Sequence, residues 1–333
     1  MPIPRSAEHA KLEVELGQTY YAMESLTDAG DHMEYESTTG PWSDASGKTP
    51  DVKPDGVLSG GVLSPASSGT SNKIDVSACT VWIGGTKKSI SATTDVSLTR
   101  GDATGPYKTS SIVVSGTAYA VVEGTTSASL CTTRNADGGP PYIPVGQVEV
   151  GQVRTTSQTA AAVSSSECHQ IPNSSKELGT YPGYTIDYEN GKLTFTTALN
   201  TNHTGGVTKA VWAEYYTPVF SEIDNARNVE PPAQSHSLNS EQVYGPTGAG
   251  TVASSSKSLN QGSFEIMLED GVTEPIQDAV DDMRWYRFYP DRYRDPYLLG
   301  RAKLGMTKSY PADGLISGAG TLSAPEAWGE KAS

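Results

Sequence analysis

The stretch Gly262-Ser263-Phe264-Glu265-Ile266-Met267-Leu268-Glu269 decides the fold class. Phe264, Ile266 and Leu268 alternate with Ser263, Glu265, Met267 and Glu269, a period of two that predicts a strand with one buried face. Asp270-Gly271 breaks it. A short helix is predicted next, over about 274–283. Thr273 suits its cap, and Pro275 suits a first turn, where a missing N–H has no intrahelical partner to lose. Ile276, Ala279, Val280 and Met283 fall at i, i+3, i+4 and i+7, one apolar stripe. Asp281 and Asp282 sit at its C-terminal end, where the helix dipole disfavours acid. Trp285-Tyr286-Arg287-Phe288-Tyr289 are strand formers, stopped by the turn Pro290-Asp291. A long strand follows, with Leu298, Ala302, Leu304 and Met306 on one face and Arg301, Lys303 and Thr307 on the other. After Pro311-Ala312-Asp313-Gly314 the chain returns through Leu315 to Leu322.

Upstream, the same alternation recurs. Leu12, Val14 and Leu16 against Lys11, Glu13 and Glu15 predict a half-buried strand over 9–16. Thr19 to Leu26 and His32 to Ser37 predict two more, the latter two separated by the turn Asp28-Ala29-Gly30-Asp31. From Gly56 the texture changes: charge thins out and Val, Ser, Thr and Gly dominate. Short strands at regular spacing with turn signals between them predict an independent β module over 51–153. Gly84-Gly85 reads as its tight hairpin turn. Residues 154–180, rich in Thr, Ala and Ser, read as a linker. Tyr184 to Tyr188 and Leu193 to Thr196 flank Glu189-Asn190-Gly191-Lys192, whose Asn-Gly is the signal of a hairpin with a type I′ turn. Val211 to Tyr216 is a strand, and Val229-Glu230-Pro231-Pro232 a rigid connector. Residues 235–262 are almost free of large apolar groups, an unusual length for a loop inside a compact domain.

The run Phe288-Tyr289-Pro290-Asp291, then Pro296 to Ala302, then Gly305-Met306-Thr307-Lys308-Ser309-Tyr310-Pro311, after a short acidic helix, resembles the C-terminal half of major tail tube proteins of long non-contractile-tailed bacteriophages. Tyr181-Pro182-Gly183-Tyr184 before the hairpin extends the resemblance, which covers about residues 180–323. It implies a mainly β fold, a sandwich or small barrel with one flanking helix, whose subunits close into hexameric rings and stack into a hollow tube. The tube domain takes residues 1–50 and 181–333, with the 51–153 module inserted as an outer decoration. The implied partners are further copies of the chain, a tape measure protein, tail terminator and distal tail proteins, and viral DNA passing through the lumen unheld. The implied location is the virion tail, assembled in the host cytoplasm, with no membrane and no cofactor. The resemblance gives residues 235–262 a role in reaching the next ring, with Tyr244, Thr247, Ser254 and Ser256 as candidates. It also makes the polar faces of the long strands candidates for the channel wall: Glu13, Glu15, Glu265 and Glu269.

Composition fits this reading. Thirty-four Gly and 21 Pro in 333 residues mean many turns, and 36% hydrophobic content is lean unless copies bury surface between them. The net charge of −14, from 38 acids and 24 bases, is the reverse of the basic face that grips phosphates. No apolar run approaches the ~20 residues of a membrane span, and no apolar segment behind Met1-Pro2-Ile3-Pro4-Arg5 suggests a secretory signal. Cys79, Cys131 and Cys168 are odd in number and far apart, so they predict free thiols. Asp28, Asp31 and His32 match no metal-loop spacing, and Cys168-His169 lacks an orienting acid. No catalytic, metal or cofactor-binding residue is expected. The alternatives are a β-sandwich receptor-binding virion protein, using the aromatics around Tyr181 to Tyr188 or Trp82, and an unrelated antiparallel β domain. A glycan hydrolase would need a carboxylate pair, and none stands out.

Overall fold

The computed structural model describes residues 9–170, 183–241 and 250–332, without side chains at 46 and 236–256. The protein is mainly β, with strands throughout and only short 3-10 turns as helix among the described residues. No helix there is long and apolar enough to cross a membrane. The described chain divides into two compact units. One takes in 9–21, 41–50 and 215–332; the other takes in 22–40, 51–170 and 183–214.

The first unit is built on an antiparallel sheet. Its order is Lys11–Asp28, Met283–Tyr289, Tyr297–Ser309, Ser317–Ser323, Gly262–Met267, Ala226–Glu230. The predicted alternation holds where the fold was read from it: Phe264, Ile266 and Leu268 are buried, and Glu265 and Glu269 are exposed. Leu12, Val14, Tyr286, Ala302, Leu304 and Leu322 complete that core with Trp328. Tyr286 stacks on Trp328, ring centroids 5.6 Å apart. Gly300 allows this, because a Cβ there would lie 1.9 Å from Trp328 Cδ1.

Two expectations are corrected here. The predicted strands over 9–16 and 19–26 are one strand, Lys11–Asp28. The predicted helix over 274–283 is a single 3-10 turn, Pro275–Ala279. Ile276 and Ala279 are buried as the stripe requires, but Val280 leaves the helical region and bridges to Leu304, and Met283 opens the next strand. The N–H of Asp281 donates to the Leu304 carbonyl at 2.9 Å, so the sheet takes the donors a longer helix would use. Thr273 does not cap. Its N–H and hydroxyl, with the N–H of Val272, all donate to Asp270 instead.

The second unit contains a four-stranded sheet ordered Ala118–Ser127, Tyr107–Ser115, Val148–Thr155, Cys168–Gln170. Two three-stranded sheets pack on it. Gly56–Gly60, Cys79–Ile83 and Thr86–Ile90 share a core with Val114, Val148 and Val150. Leu63–Pro65, Lys73–Val76 and Thr93–Ser97 share one with Ile112 and Val153. The Gly84-Gly85 hairpin is as predicted: Ile83 pairs with Thr86, and both glycines take positive φ (59° and 72°). The hairpin Tyr184–Asp187 with Lys192–Phe195 is also present. Its loop differs, since Asp187 pairs with Lys192 across four residues and Gly191 rather than Asn190 takes positive φ. The Asp187 carboxylate accepts the N–H groups of Glu189 and Asn190, which holds the longer loop.

The stretch read as a linker is folded as far as Gln170. Cys168–Gln170 pairs with Val148–Thr155, Val163 is buried, and Arg100 pairs with Glu167 at 2.7 Å. Residues 171–182, including Tyr181 of the aromatic motif, lie outside the described residues.

Candidate assembly surface

The four acids expected on a channel wall fall in three different settings. Glu265 and Glu269 are exposed, as the alternation requires. Glu265 already has a cationic partner across the sheet: Arg227 Nε donates to it at 3.0 Å and Asn228 Nδ2 at 3.1 Å. Glu13 is half-buried and accepts from Lys11 Nζ at 2.6 Å. Glu15 is the correction. It is fully buried and cannot face a channel, because residues 42–45 cover that side of the strand. Its carboxylate accepts from the Ser43 hydroxyl, from Gln18 Nε2 at 3.0 Å and from the Trp285 N–H at 3.2 Å. Three donors replace the water it lost.

The segment expected to reach the next ring is a β-hairpin. Ala233–Glu241 pairs with Gly250–Asn260, from Ala233↔Asn260 to Glu241↔Gly250. Among the described residues these strands pair only with each other. Nine residues of strand carry the hairpin about 30 Å. Ser254 and Ser256 lie on its second strand; Tyr244 and Thr247 lie outside the described residues.

Sequence reasoning missed the features at the two ends of Tyr297–Ser309. At one end the loop 290–296 exposes Tyr293 (71%) between Arg292 and Arg294. The Tyr293 ring meets His9 edge-on at 5.2 Å, and the Arg292 N–H donates to the His9 carbonyl at 2.7 Å. At the other end lie the exposed side chains of Val272, Tyr310 and Leu315. There the Leu268 N–H donates to the Ile316 carbonyl at 3.0 Å and the Tyr310 hydroxyl to the Gly271 carbonyl at 3.2 Å. Beside that end is a pocket of about 200 Å³. Val14, Leu16, Ile223, Ile266 and Ile276 form its floor, and Glu222, Asp224, Glu269 and Glu274 stand around it. Asp270, next to Glu269, is held at about 2 by the Thr273 hydroxyl and the N–H groups of Thr273 and Val272. Burial works against ionisation of Glu274, but the N–H groups of Gly271 and Asp270 hold its carboxyl below the usual range. This end therefore stays acidic at neutral pH.

In the second unit Asp55 is buried (4%). It accepts from the Gly84 N–H at 3.1 Å and Trp212 Nε1 at 3.0 Å. Burial pushes its carboxyl up to about 7 against those bonds and the nearby Lys209.

The residues weighed for chemistry have structural employment. Asp28 accepts the N–H groups of Gly30 and His32 and meets His32 Nδ1 at 2.6 Å; Asp31 accepts those of Met33 and Glu34. Cys168 and His169 are consecutive on a strand, so their side chains point to opposite faces. Burial and Glu167 push the Cys168 thiol up to about 11, while burial and Arg154 push His169 down. That is the reverse of an activated thiolate. Cys79, Cys131 and Cys168 are free thiols. Among the described residues no group of three or more His, Cys, Asp or Glu is placed to hold a metal. No protein-family model matches the sequence, and no curated protein matches it either.

Proposed function

We propose that this chain is a structural virion protein, the repeating subunit of a bacteriophage tail tube. It polymerises as stacked hexameric rings around a channel through which DNA passes into the host. The observation that carries the reading is the hairpin of Ala233–Glu241 with Gly250–Asn260. Two strands paired only with each other are marginal in water and gain from a further surface to rest on. A neighbouring ring supplies it. The resemblance adds to this, since its residues 288–311 fall on consecutive strands of the first unit. The charge of −14 suits a wall that does not hold phosphates, with Glu13 and Glu265 as its acids. The chain has no catalytic role in this reading, and tape measure, terminator and distal tail proteins meet the tube at its inside and its ends.

Negative-stain microscopy of the purified protein tests the reading. Tubes or stacked rings are expected. A variant with residues 244–256 replaced by a short Gly/Ser linker should keep its circular dichroism spectrum and stop at single rings or short stacks. A wild-type protein that stays monomeric or forms compact trimers at every concentration overturns it.

A further inference from the structure

We propose that the exposed Tyr293-Arg294 loop of one subunit docks into the acid-rimmed pocket beside Glu269 of a second copy, joining subunits head to tail. The proposal rests on the self-assembly read above and assigns residues to one of its contacts.

The two surfaces are complementary in size and charge. The pocket holds about 200 Å³, room for one large side chain over an apolar floor. Of the four carboxylates around it, Glu222 already pairs with Arg292 and Glu274 accepts the N–H groups of Asp270 and Gly271, which leaves Asp224 and Glu269 to meet a cation. Such a site favours an aromatic or aliphatic body carrying a cation beside it. Tyr293 is the most exposed large hydrophobic residue described, and the Arg294 side chain beside it is 65% exposed. Arg294 has only a 3.5 Å contact to Asp291 to give up. Exposed Tyr next to Arg is the composition found at the energetic centres of protein interfaces.

In its own subunit the loop is engaged at the edge of the pocket rather than inside it: Arg292 pairs with Glu222 of the lining at 2.9 Å, and the Tyr293 ring meets His9 and stays 71% exposed. The donor and acceptor surfaces are also different patches of one molecule, so their contact is heterologous. Such contacts close into a ring if the rotation closes and run on as a filament if it does not. On this account Glu269 belongs to a joint between subunits rather than to a channel wall.

Charge reversal tests it on the full chain. Sedimentation velocity would follow three proteins: a donor variant, Arg294→Glu; an acceptor variant, Asp224→Lys with Glu269→Lys; and Tyr293→Ala. Circular dichroism melts confirm that each is folded. Each should self-associate roughly tenfold or more weakly than wild type, and wild-type association should weaken as salt rises. An equimolar mixture of donor and acceptor variants should recover assembly, because every loop then meets a pocket of opposite sign. Folded single variants that associate like wild type, or a mixture no better than its parts, overturn the proposal and leave self-assembly standing. A wild type that never associates removes both readings.

Discussion

The N–H of Trp285 donates to the buried carboxylate of Glu15 at 3.2 Å, and the indole of the same tryptophan donates to the Trp42 carbonyl at 2.8 Å. Glu15 thus ties three separate stretches of the first unit: its own strand, the 41–47 segment through Ser43, and Met283–Tyr289. Replacing Glu15 by Ala leaves the Ser43 hydroxyl and the Trp285 N–H without an acceptor. That should cost about 1–3 kcal/mol, and Glu15→Gln, which keeps one acceptor oxygen, should cost less. Urea denaturation of the two variants gives the comparison; equal midpoints for wild type and Glu15→Ala would refute the tie.

Gly300 should resist substitution for a steric reason. Gly300→Ala drives a methyl into Trp328 and should cost roughly 1–3 kcal/mol. Trp328→Ala alone opens a cavity, but combined with Gly300→Ala it should cost less than the sum of the two. A thermal-melt double-mutant cycle reads the coupling. Additive losses would place the ring elsewhere.

Asp55 should make the second unit less stable as pH rises. Unfolded, its carboxyl ionises near 4; folded, near 7. Its contribution is full below about 4 and is lost as pH climbs toward 7, because the unfolded chain gives up the proton first. Glu123 and Glu167, held low, act in the opposite direction, so the comparison must be with a variant. Asp55→Asn should gain stability relative to wild type by a few kcal/mol between pH 4 and pH 8. Melting curves across that range show it, and parallel pH profiles for the two proteins would count against it.

Glu265 offers a check on the channel wall. Glu265→Lys removes the partner of Arg227 and sets two cations side by side. If that face lines the channel, assembled tubes of the variant should retain DNA fragments at low salt and release them as salt rises, while wild-type tubes retain none. DNA co-sedimenting with neither would take Glu265 off the wall.

What the sequence displayed was local order. The alternation of Phe264, Ile266 and Leu268 and the Gly84-Gly85 turn depend on neighbours in the chain, and both are as read. What it hid came from distant partners. Glu15 looks like the polar face of a half-buried strand until Ser43 and Trp285 arrive from 28 and 270 residues away. The helix over 274–283 had its stripe, but Leu304 drew Val280 and Asp281 into the sheet. Composition suggested a module ending at 153. The second unit nonetheless takes in 200–214, where Trp212 lies against Gly85 and Asn202 accepts from Arg134. Tyr293 and the pocket beside Glu269 left no periodic signal, since one is a loop and the other is assembled from three strands and two turns.

The self-paired hairpin has a cost that its amino acids manage. Among the described residues the hairpin presents two open strand edges, the template on which misassembled fibres grow. Leu238, Val252 and Leu259 are the large aliphatic residues in its two strands, and no five-residue window holds two of them. Ser, Thr, Asn and Gly fill most of the rest, a composition that gives stacked copies little apolar surface to lock together. On the assembly proposed above, this keeps free copies from clumping before a neighbouring ring covers those edges.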